Sequence, residues 1–257
     1  MQYVETQLSE NVRLAGGYFV LRIGGCTHVS AARPGQFVML RGDWGRDPLL
    51  PRAFSLLRMA AGGVAEILVK TVGRGSALFE HAPPGARMFV LGPLGVGFPA
   101  PQADKRDLLV AGGVGLAPLL FFAEQHRGAP IELIYGARSE RDLVLLDDIV
   151  LSGAELRVAT EDGSRGVKGL VTQALEERLD ALAGGGAAVR LLCCGPSAML
   201  DAVRAIARAR KLDCLLSLEG EMACGIGACL GCAVATRSRP YRYVCKDGPV
   251  FDAGDLA

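Results

Sequence analysis

The run Leu108-Leu-Val-Ala-Gly-Gly-Val-Gly-Leu-Ala-Pro118 divides this chain into two kinds of structure. Leu108–Ala111 reads as a buried strand. Three glycines in four residues, Gly112, Gly113 and Gly115, then make a turn, and an apolar stretch with Pro118 in its first turn starts a helix. Strand, glycine turn and helix are the opening of a βαβ unit. Gly113 and Gly115 let the backbone come close to a pyrophosphate at the helix start. The third glycine of the dinucleotide fingerprint is missing, and Pro118 stands in its place.

C-terminal to this run the texture stays alternating. Strands are expected at Ile131–Tyr135, Glu155–Ala159, Val189–Cys193 and Leu215–Leu218, and helices at Pro118–His126, Leu143–Leu151, Leu170–Leu182 and Pro196–Lys211. Strands that alternate with helices predict right-handed crossovers and a parallel sheet. Ligands of such sheets bind at the carboxyl ends of the strands. Cys194-Gly195-Pro196, which follows a second strand, is therefore expected to face one crevice with Gly113 and Gly115. Cys193 should be buried and Cys194 turned to the crevice. Thr160-Glu161-Asp162-Gly163-Ser164 ends another strand, and its acidic side chains favour a free ribose diol, hence NAD over NADP. Arg165 beside them carries the opposite charge, and a solvated acidic turn fits the same residues.

N-terminal to the run the chain reads as all β. Tyr18–Ile23, Gln36–Leu40, Ala53–Leu57, Ala65–Thr71 and Arg87–Leu91 are short apolar or alternating segments separated by Gly- and Pro-rich turns, which predicts a small antiparallel barrel. Ser76–His81 fits one short helix. Arg52-Ala53-Phe54-Ser55 puts a guanidinium, a ring and a hydroxyl within four residues; a guanidinium can grip a pyrophosphate in bidentate fashion. Leu68-Val69-Lys70-Thr71-Val72-Gly73-Arg74-Gly75-Ser76 is a strand, a glycine loop and a possible helix start, suited to phosphate or to a plain turn with Ser76 as N-cap.

The tail holds Cys224-Gly-Ile-Gly-Ala-Cys229-Leu-Gly-Cys232, with Cys245 further on. The Cys-x4-Cys-x2-Cys…Cys spacing is that of the plant-type [2Fe–2S] loop. Gly225, Gly227 and Gly231 let the backbone wrap the centre, while Ala223, Ile226, Ala228 and Leu230 are expected to keep water off it. A four-cysteine zinc site is the alternative, although such sites usually repeat a Cys-x2-Cys knuckle and only one is present.

Composition narrows the class. The 257 residues are half hydrophobic with a formal net charge of +1 and no long basic run, which argues against nucleic acid as partner. The N-terminus is charged where a signal peptide would be apolar, and the longest uncharged run, Leu108–Ala123, is broken by glycines and Pro118; neither membrane nor export is expected. A cytoplasmic protein with eight cysteines points to a metal site rather than disulfides. Three parts are predicted: a β-barrel over 1–100, a parallel α/β domain over 101–216 and a small cluster-binding segment over 217–257.

A barrel with Arg-x-Phe-Ser, then Gly-Gly-Val-Gly-Leu-Ala-Pro and Cys-Gly-Pro on a parallel sheet, resembles the ferredoxin–NADP reductase superfamily. With the cysteine tail and Val244-Cys-Lys-Asp-Gly-Pro-Val-Phe251, the chain is similar to the electron-transfer subunits of dihydroorotate dehydrogenase B. That resemblance implies FAD held by Arg52, Ala53, Phe54, Ser55, Leu68, Val69, Lys70, Gly75 and Ser76, and a [2Fe–2S] cluster on Cys224, Cys229, Cys232 and Cys245. It also implies NAD, for which Gly113, Gly115, Cys194, Gly195 and Pro196 are the candidates, and an FMN-containing catalytic partner in a heterotetramer of two copies of each subunit. Ser76 stands where the family commonly has Thr, and Phe54 where many reductases have Tyr. A reductase subunit serving another donor, and a zinc-held nucleotide-binding scaffold, are the rival readings.

Overall fold

A computed structural model of the chain describes residues 1–184 and 188–257. Its first part contains β1 (Gln2–Arg13), β2 (Tyr18–Ile23), β3 (Phe37–Gly42), β4 (Arg52–Ser55), β5 (Arg58–Ala60), β6 (Val64–Lys70), helix α1 (Arg74–Glu80) and β7 (Arg87–Leu94). The strands form one antiparallel sheet in the order β4-β3-β7-β1-β2-β6-β5. A register shift in β1 between Leu8 and Glu10 lets the sheet curl into a half-barrel. Phe19, Leu21, Val38, Leu40, Ile67, Val69, Val90 and, from α1, Phe79 fill its inside.

β1 and β5 fall outside the strands expected from sequence. In β1 only Leu8 is buried, so no apolar alternation marks it; its ladders to β2 and β7 hold it in place. Ser76 is not the N-cap of α1. Gly73 caps the helix, and the Ser76 hydroxyl, one turn in, accepts from the N–H groups of Val72 (2.9 Å) and Gly73 (3.0 Å).

The second part follows the expected alternation: β8 (Lys105–Gly112), α2 (Leu116–Gln125), β9 (Ile131–Ala137), α3 (Leu146–Ser152), β10 (Glu155–Thr160), β11 (Val167–Lys168), α4 (Val171–Leu182), β12 (Ala188–Cys194), α5 (Ser197–Arg210) and β13 (Asp213–Ser217). These strands are parallel in the order β11-β10-β9-β8-β12-β13. Period-two alternation sorts their side chains. Leu108, Val110, Leu191 and Cys193 pack with α4 and α5, while Leu109, Ala111, Leu192 and Cys194 pack with α2. Helix α2 is buried from Leu116 to Ala123 because it lies between this sheet and barrel residues Tyr18, Val20, Leu57 and Leu68. Arg58 of β5 reinforces that junction with ion pairs to Glu124 of α2 (2.8 Å) and Asp148 of α3 (2.7 Å).

From β8 the chain builds outward through β9, β10 and β11, then returns to add β12 on the other side. The strand order therefore reverses between β8 and β12, and the loops Gly112–Gly115 and Cys194–Pro196 leave the sheet at that switch point.

The tail adds β14 (Ala233–Val234), β15 (Arg242–Tyr243), α6 (Val244–Asp247) and β16 (Val250–Asp252). It does more than surround its cysteines. β16 pairs antiparallel with β13 at the edge of the parallel sheet, and Cys232, Val244, Cys245 and Phe251 join one core with Phe37, Met39 and Leu94 of the half-barrel. No helix among the described residues is long and apolar enough to cross a membrane.

Candidate cofactor crevice and thiolate loop

A crevice of about 540 Å3 opens between the half-barrel and the carboxyl ends of β8 and β12. Arg52, Ala53, Phe54 and Ser55 of β4, Leu68, Val69 and Lys70 of β6, Gly75 and Ser76 of α1, and Gly115 and Cys194 at the switch point all line it. Nearly all of the sequence-derived set is thus brought to one cavity. Gly113, Gly195 and Pro196 are not on its wall. Gly113, with φ +56°, faces the Tyr18 hydroxyl, and Gly195 and Pro196 pack against Gly112.

The Arg52 guanidinium lies across Gly75, where an added Cβ would sit 2.8 Å from its Nε. Its Nη1 donates to the Leu50 carbonyl (2.8 Å), and among the described residues Nε and Nη2 have no acceptor. An arginine with unspent donors above a glycine loop, beside an apolar wall from Leu68, Val69 and Ala117, fits a dinucleotide with a flat ring system. The Phe54 ring packs edge-on to Phe79, 5.5 Å between centroids.

Gly115 has a reason the motif alone does not reveal. A Cβ there would lie 2.1 Å from the Cys194 carbonyl oxygen and 2.6 Å from the Gly195 nitrogen. The two switch-point loops touch backbone to backbone, and only glycine allows it. Cys194 is itself buried, and that burial, against a hydrogen bond from Ser217, pushes its thiol up to about 12. It forms a neutral wall, and a nucleophilic thiolate does not fit; Cys193, on the sheet's other face, is buried in the α4 and α5 core, where burial also raises its thiol.

The four tail cysteines converge in two pairs. Cys229 N–H donates to Cys224 Sγ (3.4 Å), and Cys245 N–H to Cys232 Sγ (3.5 Å). Ile226 N–H also reaches Cys224 Sγ (3.4 Å), and Gly227 N–H reaches Cys245 Sγ (3.1 Å). Burial disfavours the Cys224 anion, but the N–H groups of Cys229, Ile226 and Ala228 overcome this and bring its thiol down to about 6. At Cys245 burial and the neighbouring Cys232 push the other way, up to about 12.

Among the described residues no three His, Cys, Asp or Glu side chains gather closely enough to hold a single metal ion. The two pairs of thiols fit a two-iron centre, in which each iron would take two thiolates. The expectation that the small apolar residues shield the centre fails for Ile226, Ala228 and Leu230, which are exposed. The loop turns its N–H groups in toward sulfur, and these side chains consequently face out.

Known proteins agree with this geometry. Residues 219–257 match the iron–sulfur cluster binding domain of dihydroorotate dehydrogenase B, and residues 109–205 the oxidoreductase NAD-binding domain. The electron transfer subunit of NAD(+)-dependent dihydroorotate dehydrogenase B from Geobacillus kaustophilus is 39% identical over 87% of this chain and 86% of its own length. The protein of that name from Clostridium acetobutylicum is 33% identical over 99% and 97%. The chain belongs to this family. Among solved structures, an NADH-dependent reduced ferredoxin-NADP oxidoreductase studied for flavin-based electron bifurcation superposes with a TM-score of 0.84, at 28% identity, over 98% of this chain and 89% of that one. A ferredoxin reductase of carbazole 1,9a-dioxygenase gives 0.71 at 25% identity over 82% and 66%. The fold is therefore that of the ferredoxin reductases, with the cluster-binding tail of the dihydroorotate dehydrogenase B family.

Within this family member the crevice has a second wall that local motifs did not announce. Ser217, Leu218, Glu219, Gly220 and Met222 run along it, with Pro249. They follow β13 and end two residues before Cys224, so one continuous segment joins the crevice to the thiolate loop. Gly225 closes the joint, since a Cβ there would meet Met39 at 2.5 Å. Glu219 stands out on this wall: the residue is partly open to solvent, yet the surrounding wall desolvates its carboxyl enough to raise it, and among the described residues no donor offsets that.

Proposed function

We propose that this chain passes electrons from a catalytic partner subunit to NAD+, in the oxidation of dihydroorotate to orotate. Residues 1–100 hold FAD, 101–216 the nicotinamide nucleotide and 217–257 a [2Fe–2S] cluster. The cluster supplies one-electron exchange, the flavin couples single electrons to a hydride, and NAD+ accepts that hydride. The protein's own residues bind and align these groups. Arg52 and the Val72–Ser76 loop bind the flavin diphosphate. Leu68 and Val69 flank the ring system. The Gly113–Gly115 and Cys194–Pro196 loops receive the nucleotide. Cys224 and Cys229 bind one iron, Cys232 and Cys245 the other. No side chain is required as acid or base for the hydride itself.

The observation that carries this reading is the continuity of Ser217–Met222 with Cys224: the segment that walls the crevice also begins the thiolate loop. A one-electron centre and a flavin–nicotinamide site are thereby put side by side. The partner, with its FMN, docks where Cys229, the most exposed of the four cysteines, is flanked by the exposed Ile226 and Leu230. Leu230 holds φ +61°, an uncommon conformation for a branched apolar residue, and is 53% exposed. Contact with a second protein would offset both costs. Two copies of each subunit form the complex, in the cytosol, where eight free cysteines stay reduced.

Anaerobic purification tests the reading. Flavin absorbance, two irons and two labile sulfides per chain, the paramagnetic resonance of a reduced [2Fe–2S] centre and a co-purifying dihydroorotate-oxidising flavoprotein are expected. Colourless protein with one zinc would refute it. A coloured protein whose partner oxidises another substrate would keep the electron-transfer role and replace the donor.

A further inference from the structure

One partly buried polar network borders the crevice, and apart from Lys70 its members take no part in the roles assigned above. Tyr18 of β2 and Lys70 of β6 are directly opposite in their antiparallel ladder, so both side chains leave the same face of the half-barrel. The Lys70 ammonium lies over the Tyr18 ring, 4.5 Å from its centroid, and 3.5 Å from its hydroxyl. It then crosses to the nucleotide-binding part and pairs with Asp142 Oδ1 at 2.8 Å. Asp142 belongs to a short turn, Glu140–Asp142, that follows β9. The Ser139 hydroxyl holds its other oxygen (3.0 Å), and the Tyr135 hydroxyl donates to its backbone carbonyl (3.2 Å). On the barrel side the β1–β2 turn presses against the same residues: a Cβ on Gly16 would lie 2.8 Å from the Arg141 carbonyl and 3.1 Å from Asp142 Oδ1.

The network ends at the nucleotide turn. The Tyr18 hydroxyl sits beside Gly113, 3.4 Å from where a Cβ would stand. Gly112, the preceding residue, is paired across the sheet with Gly136 of β9, next to Tyr135. A continuous set of contacts therefore runs from Gly113 through Tyr18, Lys70 and Asp142 to Tyr135 and back to the strand beside Gly113. Only Lys70 of this set lines the crevice. Tyr18 is 3% exposed, and the Lys70 and Asp142 side chains are 29% and 17% exposed. Such an arrangement fixes one domain against the other beside the site, with only Lys70 of the set reaching what binds there.

We infer that Asp142 and Tyr18 are positioning residues for the nicotinamide dinucleotide: through Lys70 they set the register of the Gly113 turn against the flavin-side half-barrel. The inference rests on the reading that the crevice apposes a flavin and a nicotinamide. A ring stacked between two domains depends on their relative placement, so loosening the pair should weaken nucleotide binding before it slows hydride transfer.

Steady-state oxidation of NADH by the whole chain, with ferricyanide as electron acceptor, tests this independently of any partner subunit. Asp142→Asn should raise KM for NADH about fivefold, the effect of one partly exposed ion pair, with kcat and flavin per chain unchanged. Asp142→Glu should restore most of the affinity, and Tyr18→Phe should show a smaller rise. Added salt should raise KM in the parent protein and leave Asp142→Asn nearly unaffected. A lower Tm with KM unchanged would overturn the inference, since the pair would then be only structural. Loss of flavin in Asp142→Asn would overturn it as well, because the network would then serve the other cofactor. Failure of the parent protein to bind flavin or oxidise NADH would remove the underlying functional reading, a result distinct from either.

Discussion

The thiolate loop and the crevice lie side by side, yet Cys224 in the one and Cys194 in the other treat negative charge in opposite ways. In the loop, backbone N–H groups from Ile226, Gly227, Cys229 and Cys245 point at sulfur, and the Cys224 thiol is brought down to about 6. In the adjoining crevice wall, burial pushes Cys194 up to about 12 against a single hydrogen bond from Ser217, and partial desolvation also raises the Glu219 carboxyl. At Cys224 the loop holds a thiolate ionised, whereas at Cys245 burial and Cys232 push the thiol up to about 12 until a metal takes the proton's place. The wall is built to stay neutral beside an apolar ring. The difference lies in where backbone N–H groups point rather than in residue type, since cysteines occur in both regions.

The largest test of that contrast exchanges a ligand in the loop. Cys229→Ser should lower electron flow from the donor subunit by more than about a hundredfold, beyond the range of changes around a metal's ligands. NADH oxidation by ferricyanide, which can take electrons directly from the flavin, should remain. The corresponding change in the wall, Cys194→Ser, should spare both activities far better. Equal loss of the two activities in Cys229→Ser would mean that the loop is a structural clip and that the two regions are not separate stations.

The two regions also differed in how far the sequence revealed them. Three of the four cysteines fall within nine residues and their spacing marks them out, so the four candidate ligands stood out in sequence, and the fold brings them together in two pairs. The crevice is assembled from β4, β6, α1, two switch-point loops and the Ser217–Met222 segment. Its motif residues, Arg52–Ser55 and Gly75–Ser76, were legible because each is a local pattern. Glu219 and Met222 were not, because only the position of β13 in the sheet brings them to the cavity. The parallel sheet was legible for a similar reason: its inner strands β8, β9 and β12 are buried on both faces and read as apolar runs. β1 was invisible because eleven of its twelve residues keep some contact with solvent. Ser76 and Gly115 were found for one reason and serve another, since hydrogen bonds within a loop and loop-to-loop contact leave no signature in spacing.

Gly115 gives the next test. Gly115→Ala forces a methyl group against the Cys194 carbonyl, where 2.1 Å is available. Backbone must move on both sides of the switch point, at a cost of about 3 kcal/mol. Tm should fall by about 6–10 °C in thermal unfolding followed by circular dichroism. KM for NADH should rise, while the resonance of the reduced cluster stays as in the parent. A disturbed cluster signal would show that the loop and the crevice share one packing unit after all.

Arg52→Ala is a milder probe, confined to the flavin side. Removing a guanidinium whose Nε and Nη2 are unspent on the protein should weaken FAD retention at least about tenfold, the worth of one charge-assisted hydrogen bond. Equilibrium dialysis against free FAD reads this directly. Unchanged retention would move the diphosphate away from Arg52 and leave the Val72–Ser76 loop as its sole anchor.

The smallest effect concerns Glu219, and its sign is the informative part. Burial raises this carboxyl above its ordinary value in the folded chain, so folding favours the protonated form. Its contribution to stability is fully present at pH values below the unfolded carboxylate range. That contribution is lost as pH rises through the higher folded value, where the partly exposed group ionises without a protein donor to receive it, so the effect is screened by solvent and small. Glu219→Gln keeps the shape and removes the charge. The variant should therefore be slightly more stable than the parent at neutral pH, and the difference should shrink toward zero in acid, as read from urea unfolding at a series of pH values. The Cys224 thiolate behaves the other way: an anion already met by N–H groups gains nothing from neutralisation. If Glu219→Gln is instead less stable at neutral pH, the carboxylate has a donor in solution, and the wall tolerates charge by the same device as the loop.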